Sequence, residues 1–204
     1  MADVKDKFAG RTLVREVQLP SRGRLYAGLS ESGGSVRIAA LTTLEEKIFA
    51  GSGNTPQSKL DMVLERCVDC GPLSPKDMII GDRLFCLVHI RSLSYGDLYG
   101  FEFRCNGCGR QSRHELNLRE SLPLVEADEN FKEPYEITLP VAGKVVGLRY
   151  YRGSDEWKVA QFVEKSLRPG VPSVGDVGYV YRLARHIMTI DGQPPQFEAD
   201  ALRF

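Results

Sequence analysis

The sequence predicts an α+β protein: a zinc-ribbon-like β-hairpin packed with helices, followed by a C-terminal β-hairpin and more helices. Three observations lead there. Four of the five cysteines fall into two matching Cys-x-x-Cys-Gly turns, Cys67/Cys70 and Cys105/Cys108. Alternating aromatic residues run straight into the second turn and a returning strand leaves it. Capped segments with helical apolar spacing occupy the chain on either side.

The composition is that of an ordinary globular chain. Of 204 residues, 42% are hydrophobic and 26% charged, and the formal net charge is zero, so no overall field draws DNA, RNA or anionic lipid. No run reaches the roughly 18 apolar residues of a membrane span. The first residues, "MADVKDKFAG", are charged and carry no secretory apolar run, which predicts synthesis in a reducing cytosol. There, paired Cys-x-x-Cys motifs are metal ligands more often than disulfides.

Residues 1–40 read as an extended, modestly basic arm, in which "TLVREVQLPS" and "GSVRIAAL" are broken by Pro20, Gly23, Gly33 and Gly34. A core then spans residues 41–134. Thr43 and Glu46 form a capping box for a helix ending near Gly51. Thr55 caps a second helix with Pro56 in its first turn. Leu60, Val63, Leu64 and Cys67 face inward, and the first cysteine pair closes this helix at Gly71-Pro72. Leu84, Phe85, Leu87, Val88 and Leu93 predict a third helix buried on a wide face and stopped at Tyr95-Gly96-Asp97. In "LYGFEFRC", Tyr99, Phe101 and Phe103 point one way, expected toward the core, with a stacking platform for bases as the alternative, and "RHELNL" returns. Residues 135–204 form a C-terminal unit. It has a hairpin around Ala142-Gly143, a helix opened by Ser154, Asp155 and Glu156, a break at Pro169, Gly170 and Pro172, and a helix over about 176–190. Trp157, Ala160, Val163 and Leu167 are expected to line the first of these helices, and the tail after Asp191 is expected to be flexible.

Two residues between cysteines let both sulfurs reach one ion, and four thiolates close a tetrahedron about 2.3 Å from Zn(II). Cys67, Cys70, Cys105 and Cys108 are therefore the candidate ligands of one structural zinc, although the insert between the pairs exceeds the usual spacing of about 15 to 20 residues. An iron–sulfur cluster is a second occupant that all-cysteine ligation permits. Unmetallated thiols are the bland alternative. Cys86 reads as a small core residue and His89 as a structural histidine, the two as a ligand pair being the alternative; His186 reads as a helix-face residue, and His114 as a substitute ligand only if a thiolate is missing. Four thiolates leave no open position for catalytic water. No nucleophile motif, HExxH or dinucleotide fingerprint is present, so no enzyme, catalytic residue or small-molecule substrate is expected. A zinc ribbon could bind nucleic acid, but around the second pair Arg104, Arg110, Arg113 and Arg119 are matched by Asp97, Glu102, Glu115 and Glu120.

"LPSRGRLY", "ALTTLEEKIFAGS" and "GDRLFCLVHIRSLSYGDLYGFEFRCNGCGRQ", in that order, resemble the T-even-type baseplate hub protein family of contractile-tailed bacteriophages. The resemblance covers roughly residues 17–150 and is sharpest from Gly81 to Cys108, at Asp82, Arg83, Arg91, Tyr95, Gly96 and Tyr99. It implies a structural component of the baseplate, in the hub or wedge region, that contacts other tail proteins. It also implies a chain assembled in the host bacterial cytoplasm and located in the virion. The alternative within the family is an assembly chaperone that leaves before maturity. Partner contacts are expected on the arm before Leu41 and the tail after Asp191.

Overall fold

A computed structural model of the chain describes residues 6–166 and 177–195. It is a mixed α/β protein with three small sheets and five α-helices among the described residues. It divides into two compact units, Met1–Pro75 with Gly81–Ala127, and Lys76–Ile80 with Asp128–Phe204.

In the first unit, β1 (Val14–Gln18) and β2 (Ser35–Ala39) pair antiparallel, from Val14 opposite Ala39 to Gln18 opposite Ser35. The loop between them is not a break in an arm. Leu19, Tyr26 and Leu29 are buried from it, as is Phe8 ahead of β1. Residues 6–40, expected as an extended arm, are thus built into the core. The Pro and Gly residues that suggested interruption instead fold the chain back. Gly23 and Gly34 both have positive φ and pack backbone to backbone, so close that a Cβ on Gly34 would lie 2.5 Å from the Arg22 carbonyl carbon.

Helix α1 (Thr43–Ala50) is capped one residue earlier than expected, by a box of Thr42 and Glu45. Glu45 is the acid that turns inward, where its carboxylate accepts from the Thr42 amide (2.8 Å), Arg11 (2.8 Å) and Arg66 (2.7 Å). Helix α2 (Pro56–Cys67) begins as predicted, with Thr55 Oγ1 accepting from the Ser58 amide at 3.2 Å, and buries Val63, Leu64 and Cys67. The two-residue β3 (Val68–Asp69) then joins β2 opposite Ile38 and Arg37.

Helix α3 (Ile80–Tyr95) has the predicted end but not the predicted face. Its buried residues are Asp82, Arg83, Cys86 and Ile90, while Leu84 is 60% exposed. The reason is a set of polar partners far away in sequence. The Asp82 carboxylate accepts from the Ser21 amide (3.1 Å), the Ser21 hydroxyl (2.5 Å) and the Tyr26 hydroxyl (2.6 Å). Arg83 donates to Asp61 and to the Pro75 carbonyl (2.8 Å). Beyond α3, β4 (Leu98–Arg104) and β5 (Gln111–Asn117) form a two-stranded hairpin with Arg104 opposite Gln111 at its tip.

In the second unit, β6 (Tyr135–Thr138) and β7 (Val145–Leu148) make the hairpin expected around Ala142-Gly143. Helix α4 (Gly153–Ser166) buries Asp155 and Val159 and stacks Phe162 on Tyr181 with centroids 4.1 Å apart. Trp157, expected inside, is 58% exposed, and Ala160 is also exposed. The face is again set by a charge: Asp155 accepts two bonds from Arg149 (2.8 and 2.6 Å), two from Arg185 (3.1 and 3.0 Å) and one from the Arg152 amide (3.0 Å). Burial opposes the Asp155 charge, but these donors outweigh it and hold its carboxyl below the usual range. The single helix expected over 176–190 is two elements. Helix α5 (Val177–Ala184) ends, and β8 (Ile187–Ile190) continues as a third strand on β7. Pro169, Gly170, Pro172, Leu167 and the tail from residue 196 lie outside the described residues.

Candidate functional site

The two cysteine pairs share a spacing and differ in every physical respect. Cys67 ends α2 and Cys70 follows β3, and both are buried. Cys70 donates its thiol hydrogen to the Leu73 carbonyl at 2.8 Å, and Arg11 points at the Cys67 sulfur from 3.8 Å. Burial pushes the Cys67 thiol up and the Cys70 thiol up to about 11, so both are neutral near pH 7. Cys86 is fully buried on α3 and raised by the same cause, as a core residue should be.

Cys105 and Cys108 occupy the turn between β4 and β5, Cys105 partly exposed and Cys108 exposed. The turn is closed by the Cys105 amide on the Arg110 carbonyl (2.8 Å) and the Gly109 amide on the Cys105 carbonyl (2.9 Å), with Gly109 at φ +70°. The amides of Cys108 and Gly107 and the Cys108 thiol donate to the Cys105 sulfur and draw its thiol down. Among the described residues, no three Cys, His, Asp or Glu side chains gather as a metal site, so the structure does not bring the four candidate ligands together. His89 lies against Phe85 (4.3 Å), and burial draws its pKa down. His114 stacks on Phe103 (5.0 Å) and Phe101 (5.9 Å). His186 lies past α5, beside the Arg149 carbonyl at 3.1 Å.

The hairpin above the turn carries the feature that sequence reasoning misplaced. Tyr99, Phe101 and Phe103 share one face with their cross-strand partners Leu116, His114 and Ser112. They are 43%, 38% and 47% exposed rather than core-facing. The sequence signal was on the opposite side of the same strands, where Glu102, Arg104, Arg113 and Glu115 make a second solvated face and leave no buried one. The base of the hairpin is fixed to α3. Arg91 donates to the Gly96 carbonyl at 3.0 Å and its guanidinium lies over Tyr95 (5.0 Å) and Tyr99 (5.6 Å), while Ser92 bonds Asp97.

A family model described as T4 bacteriophage base plate protein matches residues 12–166. The chain belongs to that family. No curated protein and no solved structure matches it. As a T4-type base plate protein it is a structural part of the phage tail, and the matched span takes in the β1–β3 sheet, α1 to α3, both cysteine pairs and the aromatic hairpin. No helix among the described residues is long and apolar enough to cross a membrane. In this base plate protein the family-like residues Asp82, Arg83, Arg91, Gly96 and Tyr99 have structural duties. The first two seat α3 in the core, and the others set the hairpin on its end.

Proposed function

We propose that the chain is a permanent structural component of the baseplate, in the hub or wedge region, and that it contacts neighbouring tail proteins through the Tyr99–Phe101–Phe103 face of the β4–β5 hairpin. The observation that carries this reading is the exposure of three adjacent aromatic rings on a two-stranded hairpin, an element with little stability of its own. Exposed apolar faces rimmed by charge mark protein contacts, and aromatic residues dominate the energetic centres of such contacts. No catalytic role is assigned. The contact region moves from the expected arm to the hairpin because residues 6–40 supply part of the core: deleting residues 1–20 would remove Phe8, Leu19 and β1 and would test folding instead of docking.

The test is complementation of a phage lacking this gene with Phe101→Glu or Tyr99→Glu, read by mass spectrometry of purified mature particles. Wild type should be present at a fixed copy number per particle, and each variant should fold yet fall at least about tenfold in incorporation. Full incorporation of both variants overturns the hairpin contact. A chain that is required for infectivity but missing from mature particles is an assembly factor, and the permanent role is then wrong.

A further inference from the structure

We infer that the open edge of β5 pairs antiparallel with the same edge of a second copy of this chain, about a two-fold axis at His114, so that two hairpins join into one four-stranded sheet. Within the chain the hairpin is incomplete. It has only two strands, β4 is exposed along its whole length, and among the described residues it joins no other sheet. Two strands alone are marginal in water, and an unpaired edge is a template for another strand. The direction of the backbone groups fixes which residues can pair. The Leu118 amide donates to the Asp97 carbonyl and the Cys105 amide to the Arg110 carbonyl, both at 2.8 Å, so residues 110 and 118 face β4. Backbone groups alternate along a strand, which turns those of Ser112, His114 and Leu116 toward β4 and those of Gln111, Arg113, Glu115 and Asn117 toward the open edge. The Asn117 carbonyl follows that alternation, accepting from the Ser121 amide outside the hairpin at 2.8 Å. It closes that end and leaves Arg113 and Glu115 at the free centre of the edge.

Charge then selects the partner. His114 is the middle residue of β5, Gln111–Asn117, so a two-fold axis there lays the whole strand against its twin. It opposes Arg113 to Glu115 of the second copy, and Glu115 to Arg113 of the second copy. Their amides and carbonyls are the ones that face outward, so each opposed pair exchanges two backbone hydrogen bonds and carries one ion pair. Arg113 and Glu115 are both exposed, and neither has an ion-pair partner of its own among the described residues. Moving the axis to residue 113 or 115 sets arginine against arginine or glutamate against glutamate, which like charges oppose. The β4 edge offers no equal. Its one opposite-charge alternation, Glu102 with Arg104, lies beside the turn, and an axis there pairs only the last residues of that strand. Exposed ion pairs add little strength, so they set register and partner choice, and one strand pair makes a weak dimer. The pairing uses the edge and leaves the aromatic face open, so it stands apart from the contact proposed above for Tyr99, Phe101 and Phe103.

The experiment uses the full chain in two ways. In the first, Cys105→Ser and Cys108→Ser remove the two thiols that are not buried, and His114→Cys is added. The new thiols face each other across the axis at a non-hydrogen-bonded pair, whose Cα atoms lie about 4.5 Å apart, within reach of a disulfide. Mild oxidation should give a covalent dimer as the main product. Ser112→Cys in the same background lies opposite Leu116 of the second copy and should give at least about tenfold less. In the second, analytical ultracentrifugation follows mass over a concentration series. The unmodified chain should dimerise as concentration rises. Arg113→Glu and Glu115→Arg should each weaken the dimer at least about tenfold, and an equimolar mixture of the two should pair again, because every opposed pair then carries opposite charges. A chain that stays monomeric at every concentration and forms no cross-link at residue 114 overturns the pairing. So does a dimer that both charge variants leave unchanged, or one that Phe101→Glu abolishes and Arg113→Glu does not, which makes the aromatic face the site of self-association.

Discussion

Replacing Glu45 with Gln removes one buried charge and little volume, so its effect can be worked from the contacts. The carboxylate is 0% exposed and accepts from Thr42 at both backbone and hydroxyl, from Arg11 and from Arg66. Burial works against its ionisation, but the bonds from Thr42, Arg66 and Arg11 prevail and bring its pKa from 4.5 to about 2. At about 1.4 kcal/mol per unit, that difference links to roughly 3 kcal/mol of stability. The folded-state value is the lower one, so this stability is present above about pH 4.5 and is lost as pH falls toward 2. Glu45→Gln should therefore cost about 3 kcal/mol at pH 7, and the gap from wild type should close between pH 5 and pH 2. The measurement is urea unfolding at several pH values followed by far-ultraviolet circular dichroism, because the only tryptophan, Trp157, belongs to the other unit. A gap below about 1 kcal/mol at pH 7, or one that stays constant down to pH 2, would refute the assignment of Glu45 as a charge held by three partners.

Two further substitutions test the core around α3 and the β1–β2 loop. Arg83→Ala leaves Asp61 and the Pro75 carbonyl without their donor in a buried setting and should cost about 3 to 5 kcal/mol in urea unfolding, whereas Arg83→Met with Asp61→Leu should recover most of it. Gly34→Ala brings a Cβ to 2.5 Å from the Arg22 carbonyl carbon and the Gly23 nitrogen and should lower stability by more than about 2 kcal/mol. Gly71→Ala, equally left-handed at φ +61° but facing open space, should lose only about 1 kcal/mol, which separates the clash from the backbone preference.

Elements with a local cause were legible. Thr55-Pro56, Gly51, Gly96, the Ala142-Gly143 turn and the strand–turn–strand of β4–β5 all follow from neighbours within a few residues. The inward faces were not. Helix α3 carries apolar residues nearly all round, so periodicity cannot choose among them, and the choice falls to Asp82, whose partners Ser21 and Tyr26 lie 61 and 56 positions away. The same holds for α4, where Asp155 and its arginines turn Trp157 outward. The β8 segment, Ile187–Ile190, is too short to show a period, and it becomes a strand because β7 offers an unpaired edge. The arm was misread because Phe8, Leu19, Tyr26 and Leu29 are spaced by turns, which no periodic pattern reports.

The same arrangement explains how a protein with few functional side chains can still present a defined surface. A bare two-stranded hairpin would not hold three aromatic rings in one orientation. Here its first residues are gripped by the last turn of α3: Arg91 reaches the Gly96 carbonyl, Ser92 reaches Asp97, and the Leu118 amide closes back on the Asp97 carbonyl at 2.8 Å. The opposite end of α3 is fixed by Asp82 and Arg83 to residues of three other segments. Helix α3 is thus a strut with polar anchors at one end and the hairpin at the other. Buried ionic anchors are seldom the cheapest way to stabilise a helix, but they fix its rotation and register, which an all-round apolar surface leaves open. Leu84 on the outside and Asp82 on the inside are the visible result, and a fixed strut holds the exposed rings in one orientation, which lowers the ordering cost of the contact proposed for them.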